Sequence, residues 1–269
     1  MKVMWDECGV DASALRFEVE APRRVGLVAL STDETSERDY ARVFSGTGIE
    51  LVVNRIAFAN PVTHANLLAM AERLTDAASA ILPAQPIDVL AFSCTSASVL
   101  IGDDVVEAAL KAAKPEALVV TPPLAVAAGL RALGARRISI LTPYSFEVSR
   151  PMATYFEMKG FSVDRLTALE IEDDVAMARL KPDVIAELAA KAISEHSDAL
   201  FISCTALRSL DVVDQIEAVI GKPVVTSNHA ATWQCLDLLK IRPGSFAAGQ
   251  LMRRRAGSES AAIPGIAAS

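Results

Sequence analysis

Val89-Leu90-Ala91-Phe92-Ser93-Cys94-Thr95 and Ala199-Leu200-Phe201-Ile202-Ser203-Cys204-Thr205 share one pattern: an apolar run, then serine, cysteine and threonine, then a helix-like segment. A short continuous apolar run before a helical stretch reads as a parallel strand buried on both faces. Each cysteine is therefore expected where a strand turns into a helix N-terminus. The two stand 110 residues apart, the length of one α/β lobe, so the chain reads as two related lobes that each bring one thiol to a shared cleft. Free backbone N–H groups and the positive end of a helix dipole at that position favour thiolate over thiol. A lone cysteine after a strand is more often a small buried hydrophobe; the repeated context is what points to chemistry.

Working outward, βα alternation runs through the chain. Strands are expected at 24–30, 49–58, 88–93, 117–121, 137–141, 161–166, 199–203 and 223–226. Helices are expected at 66–82, 104–113, 124–133, 151–159, 183–195 and 230–239. Gly134 stands where a helix-ending glycine belongs, and Pro182 near the start of the next helix. The fold class is α/β, with two pseudo-symmetric lobes, each a four-stranded parallel sheet flanked by helices, and a site between them. An N-terminal arm covers 1–23, lobe 1 covers 24–121 plus a returning strand and helix at 223–242, lobe 2 covers 122–222, and a Gly/Ser/Ala-rich tail at 243–269 is expected to be flexible. Ligands of open parallel sheets bind beyond the strands' carboxyl ends. Ser31-Thr32-Asp33, Thr142-Pro143-Tyr144 and both cysteines lie at such ends.

Composition narrows the class. The 269-residue chain is 52% hydrophobic, yet its charge-free stretches, such as 117–130, reach only about fourteen residues, short of a membrane span. A net charge of −7 argues against nucleic-acid binding; Arg253-Arg254-Arg255, the single basic cluster, reads as a solvated tail. Residues 1–24 hold five acidic residues and no apolar core of signal-peptide length, so a cytoplasmic location is expected. Four cysteines make no disulfide framework; Cys8 and Cys235 read as incidental or structural. His64, His196 and His229 are too scattered for a zinc site, and no glycine-rich phosphate loop follows a strand. No nucleic-acid or membrane partner is expected, and self-association into a homo-oligomer is left open.

Phe92-Ser93-Cys94-Thr95-Ser96, Ile202-Ser203-Cys204-Thr205-Ala206-Leu207, and Gly129-Leu130-Arg131-Ala132-Leu133-Gly134-Ala135-Arg136-Arg137 leading to Thr142-Pro143-Tyr144 together resemble the aspartate/glutamate racemase superfamily. The resemblance, over about residues 24–242, is to the branch holding maleate cis-trans isomerase, arylmalonate decarboxylase and the racemase-like protein of ectoine utilisation. It implies catalysis between two lobes on a small carboxylate partner, without metal or organic cofactor. Cys94 and Cys204 match the paired catalytic cysteines, and Tyr144 matches a substrate-holding tyrosine. The decarboxylase has glycine at the first cysteine position, so Cys94 counts against simple decarboxylation. Where the maleate isomerase pattern has two asparagines, this chain has Asp33 and either Asp174 or Asp173. Ionised aspartate only accepts hydrogen bonds, which disfavours a second substrate carboxylate and favours an amino-acid-like substrate, such as an N-acylated diamino acid of ectoine degradation.

The expected chemistry is proton transfer at the carbon beside a carboxylate. One cysteine removes a proton and the other delivers one on the opposite face. Thr32, Asp33, Thr95, Ser96, Tyr144, Asp174, Thr205 and Ala206 are expected to bind substrate, with the Thr95 and Thr205 hydroxyls and nearby amides on its carboxylate. The alternative is maleate cis-trans isomerisation by covalent cysteine addition. Less favoured are an arylmalonate-type decarboxylase, a Cys-His thiol hydrolase in which His229 reaches a cysteine, and a non-enzymatic binding protein.

Overall fold

Eight apolar runs form eight strands that divide equally between two all-parallel sheets. A computed structural model describes residues 8–17 and 21–254. β1 (Arg23–Leu30), β2 (Ile49–Ile56), β3 (Val89–Ser93) and β4 (Leu118–Val120) lie in the order β2-β1-β3-β4. β5 (Arg137–Thr142), β6 (Ser162–Ala168), β7 (Ala199–Ile202) and β8 (Val224–Thr226) repeat that order as β6-β5-β7-β8. The central strands β3 and β7 are buried at every residue, as continuous apolar runs covered on both faces should be. β1 approaches β3 closely at Gly26, where a Cβ would come 2.9 Å from Leu90 Cδ1. The equal order in both sheets puts β1 and β3 of one lobe in the same places as β5 and β7 of the other.

The helices are α1 (Ser36–Phe44), α2 (His64–Leu68), α3 (Ala71–Ser79), α4 (Thr95–Ile101), α5 (Asp103–Ala113), α6 (Pro122–Ala132), α7 (Phe146–Met158), α8 (Asp174–Ala178), α9 (Pro182–Ala192), α10 (Val213–Ile220), α11 (Ser227–Leu239) and α12 (Gly249–Arg253). Gly134, at φ +76°, closes α6 by donating to Arg131 O while Ala135 N donates to Leu130 O, the paired bonds of a helix-ending glycine motif. The stretch expected as one helix over 66–82 is two, α2 and α3. The helix expected from Pro151 begins at Phe146, capped by Ser145, with Pro151 inside it. Proline has no N–H for the carbonyl four residues back; that carbonyl, of Glu147, lies 3.1 Å from His64 Nε2 of the other lobe instead.

Two boundaries differ from expectation. β8 pairs with β7, so the strand at 223–226 belongs to lobe 2 and not to lobe 1. The helix after it, α11, does cross over and packs on β3, β4 and α1, while α6 reaches β8 and lies against α11. The expected flexible tail is an ordered strap at least to residue 254. Phe246 lies under the Arg42 guanidinium, 3.8 Å from ring centroid to Cζ. Leu251 and Met252 are buried, and Arg253 pairs with Asp214 at 2.7 Å and Glu217 at 3.4 Å. A few apolar anchors among the small residues hold the strap, and the basic cluster is in part an ion-pairing site. Residues 255–269, like residues 1–7 and 18–20 of the N-terminal arm, lie outside the described residues. No helix among those described is long and apolar enough to cross a membrane.

Candidate active site

Each cysteine begins at a strand end, but the two local structures differ. Cys94 is the N-cap of α4 with extended backbone (φ −148°), and the Thr95 and Ser96 N–H groups of the first turn have no carbonyl within the helix. Cys204 is followed by a loop, not by the expected helix; a short 3-10 turn starts only at Arg208. Its φ of +97° is a conformation L side chains rarely adopt, and such strain gathers where surroundings hold a group for a purpose. That bend turns the Ala206 and Leu207 N–H groups toward the Cys204 sulfur.

The two thiols are buried and have neighbours in common. Cys94 is 5% exposed and Cys204 3%. Tyr144, just after β5, is also buried, and both cysteines bear electrostatically on its hydroxyl. Asp174, at the start of α8, bears electrostatically on both thiols. Ser96 Oγ lies 3.8 Å from Cys94 Sγ, and Met177 Sδ lies 4.0 Å from Cys204 Sγ. Three strand ends, of β3, β5 and β7, thus supply Cys94, Ser96, Tyr144 and Cys204, and a fourth, of β1, supplies Thr32, which donates to Asp174 Oδ2 at 2.5 Å across the lobes.

Burial sets the protonation states. It pushes the Cys94 thiol up to about 12, against the pull of the Ala97 N–H and the Ser96 hydroxyl, with Asp174 and Asp33 adding to the rise. Cys204 is raised by burial and by Asp174, against Tyr144 and the Ala206 and Leu207 amides. Tyr144 is raised by burial and by both cysteines. The expectation that helix ends would leave thiolates at rest is therefore reversed: desolvation outweighs the local dipoles.

Several expected substrate contacts are occupied by protein. Asp33 accepts from the Thr35 and Ser36 N–H groups, both at 2.7 Å, and from Ser36 Oγ at 2.5 Å. It caps the start of α1 rather than facing a ligand; burial raises its pKa, and these capping bonds pull it back. The Thr95 hydroxyl donates to Ser227 Oγ at 2.8 Å, and the Thr205 hydroxyl to Ser93 O at 3.2 Å. A hydroxyl has one proton to donate, so neither can also donate to a substrate carboxylate. Ala206 acts through its backbone, its carbonyl accepting from Thr35 Oγ1 at 2.7 Å. Of the two adjacent aspartates, Asp174 faces the thiols, while the exposed Asp173 caps α8 and accepts from Asn60 Nδ2.

A second layer went unread in the sequence. Ser227 Oγ accepts from the Cys204 N–H at 3.1 Å. Asn228 Nδ2 donates to Thr205 O at 2.9 Å and to the fully buried Asp39 at 3.0 Å. Both residues start α11 directly after β8, so the strand-end rule that found the cysteines, applied to the last strand, also leads to them. His229, one residue on, points away: its Nε2 lies 3.0 Å from Ala248 O, and burial lowers its pKa to about 4. It anchors the C-terminal strap, which removes the geometry a Cys-His hydrolase needs. Among the described residues no group of three or more His, Cys, Asp or Glu side chains could hold a metal ion.

A family model described as arylmalonate decarboxylase matches residues 44–252. A maleate isomerase of Pseudomonas putida is 32% identical over 193 residues, covering 69% of this chain and 77% of the relative. A maleate isomerase of Nocardia farcinica is 28% identical over 243 residues, covering 86% and 96%. A solved structure of the Nocardia farcinica enzyme, a cysteine-to-serine mutant with a covalently bound succinylcysteine intermediate, superposes with a TM-score of 0.78 at 26% identity, covering 86% of this chain and 98% of that one. Since the family match takes in both cysteines, seven of the eight described strands and most of the strap, the chain belongs to the arylmalonate decarboxylase family, within the aspartate/glutamate racemase-like superfamily.

Proposed function

We propose that this protein is a cis-trans isomerase of a small α,β-unsaturated carboxylate of the maleate type, working by covalent addition of Cys94 without metal or organic cofactor. The carrying observation is the pair of buried thiols at equivalent strand ends with Tyr144 against both. The maleate isomerase relatives, one with a cysteine adduct, support the covalent route and move the weight away from racemisation at an amino-acid carbon. In the proposed cycle the Cys94 proton passes to water as substrate binds and is regained from water when product leaves; in between, the thiolate adds to the alkene carbon β to the carboxylate. The S–C bond forms, the π pair moves toward the carboxylate, and Cys204 supplies a proton to the α carbon. Rotation follows about the new single bond. Cys204 then takes back a proton, the double bond re-forms in trans geometry, and the S–C bond breaks with its pair returning to Cys94. Amides in the first turn of α4 offer donors for the charge that develops on the carboxylate.

The test is to incubate the protein in D2O with maleate, its monoamide and a panel of chiral amino and N-acylamino acids, following each by NMR. Trans product from a cis substrate is expected, falling at least about 10³-fold in Cys94→Ala. In Cys204→Ser, mass spectrometry should find a substrate-mass adduct on Cys94. Deuterium at Cα of a chiral acid, with no cis-to-trans conversion of any alkene, would replace this reading with two-base racemisation.

A further inference from the structure

Asp174 constrains what the far end of the substrate can be. The residue is 5% exposed and is fixed from the opposite lobe at two points. Thr32 Oγ1 donates to its Oδ2 at 2.5 Å, and its own N–H donates to Asn60 Oδ1 at 3.1 Å. Oδ1 takes no hydrogen bond from any described residue. The carboxyl group is therefore an oriented acceptor with one oxygen left over, near enough to both reactive sulfurs to bear on each of them.

The charges that bear most on it are carboxylates, with Arg55 set behind Asp33. The leading charged neighbours of Cys94 are Asp174 and Asp33, and that of Cys204 is Asp174. Asp174 itself is raised by burial, then by Asp33 and Asp173, with the Thr32 hydroxyl pulling it down. A carboxylate accepts and does not donate, and two carboxylates in a desolvated site repel. A substrate with a carboxylate at each end would set one of them against Asp174 with no cation between. A carboxamide has nearly the same size and shape and brings N–H donors to the free oxygen.

Building on the isomerase reading, we propose that the substrate carries one carboxylate and, at its other end, a neutral or cationic hydrogen-bond donor, of which a primary carboxamide is the simplest, and that Asp174 selects it. The site is then built for an unsymmetrical half-amide or amino-bearing acid and discriminates against the dianion. A buried acceptor left facing another acceptor is how polar sites reject near-isosteres most strongly.

The experiment compares maleate with its monoamide as substrates, and succinate with succinamate as non-reacting ligands, in the wild-type chain and Asp174→Asn. Asparagine keeps an oxygen for the Thr32 hydroxyl and turns the other position into a donor. Wild type should favour the monoamide in kcat/KM by about 100-fold. Asp174→Asn should shift that ratio toward maleate by a similar factor, with an unchanged circular dichroism spectrum. In thermal shift, succinamate should stabilise wild type and succinate should not, with the order exchanged in the variant. Equal turnover of both substrates, or a ratio moved by less than about threefold, overturns the selection and leaves the isomerase standing. If neither alkene is converted, the isomerase reading fails by itself, and the thermal-shift order still decides the selection: succinate binding wild type as well as succinamate overturns it.

Discussion

With its thiol near 12, Cys94 is ionised in only about one molecule in 10⁵ at neutral pH. Moving it there from an ordinary 9.0 disfavours the thiolate by roughly 4 kcal/mol, more than the roughly 0.3–2 kcal/mol a helix N-terminus returns. The resting site is thus chemically quiet, and substrate must bring what activates it. Iodoacetamide at pH 7 should label the exposed Cys8 well before Cys94 or Cys204, and labelling of Cys94 should climb about tenfold per pH unit from 7 to 10. Peptide mapping by mass spectrometry reads this directly; labelling of Cys94 as fast as Cys8 at pH 7 would mean that burial does not control it. Both cysteines were legible from their neighbours in sequence. Their charge state was not, because the residues that desolvate them and the aspartate that faces them come from the opposite ends of two lobes. The same holds for Thr95 and Thr205, whose hydroxyl partners Ser227 and Ser93 lie 132 and 112 residues away.

Elements with continuous apolar runs were readable, and those that depend on a few anchors were not. β3 and β7 announce themselves because every position is buried. The five-residue α12 sits in a segment whose small residues look like a tail, yet Leu251 packs on Gly129, where a Cβ would come 3.0 Å from Leu251 Cδ2. Gly249 N and Gln250 N donate to Asp214 and Glu217. Leu251→Ala should therefore destabilise the protein by about 2–5 kcal/mol, lowering Tm by roughly 5–15 °C while leaving the cysteine site intact. A calorimetric shift of less than about 2 °C would return the strap to the status of a tail. The loop after Cys204 is held from α11 in a comparable way. Asn228→Ala removes the amide that joins Thr205 O to Asp39 and should lower kcat about tenfold or more with a smaller change in KM, because it loosens the group that moves the proton and not the one that binds substrate.

At the scale of the whole molecule, the buried acids that titrate late all act in one direction. Cys94, Cys204 and Cys235 have thiols raised by burial, as do the Tyr40 and Tyr144 hydroxyls. For each, the folded state keeps a proton that the unfolded chain releases. The contribution to stability is fully present below the unfolded thiol value near 9 and is lost as pH rises beyond it. Three thiols together predict a loss on the order of 4 kcal/mol per pH unit above pH 9. Melting curves from pH 8 to 10.5 should show this slope, reduced by about a third in Cys235→Ala; a flat profile would show that the thiols ionise without unfolding the protein. The division into two four-stranded parallel sheets was readable from eight alternating runs, and the order of strands within them was not. Nor was the sheet that receives the last strand, since alternation says that a strand follows a helix without saying beside which neighbour it lies.

The crossing of α6 and α11, each resting partly on the half that its own chain segment did not build, makes the two halves mutual templates. Cut in the exposed turn after α6, the chain would give two fragments, the first lacking the helix that covers β3 and β4, the second lacking the one that reaches β8. Neither should be soluble alone, and the two expressed together should re-form one active particle. A change that tilts α11 bears on both thiols at once, since Ser227 at its start accepts from the Cys204 N–H and from the Thr95 hydroxyl beside Cys94.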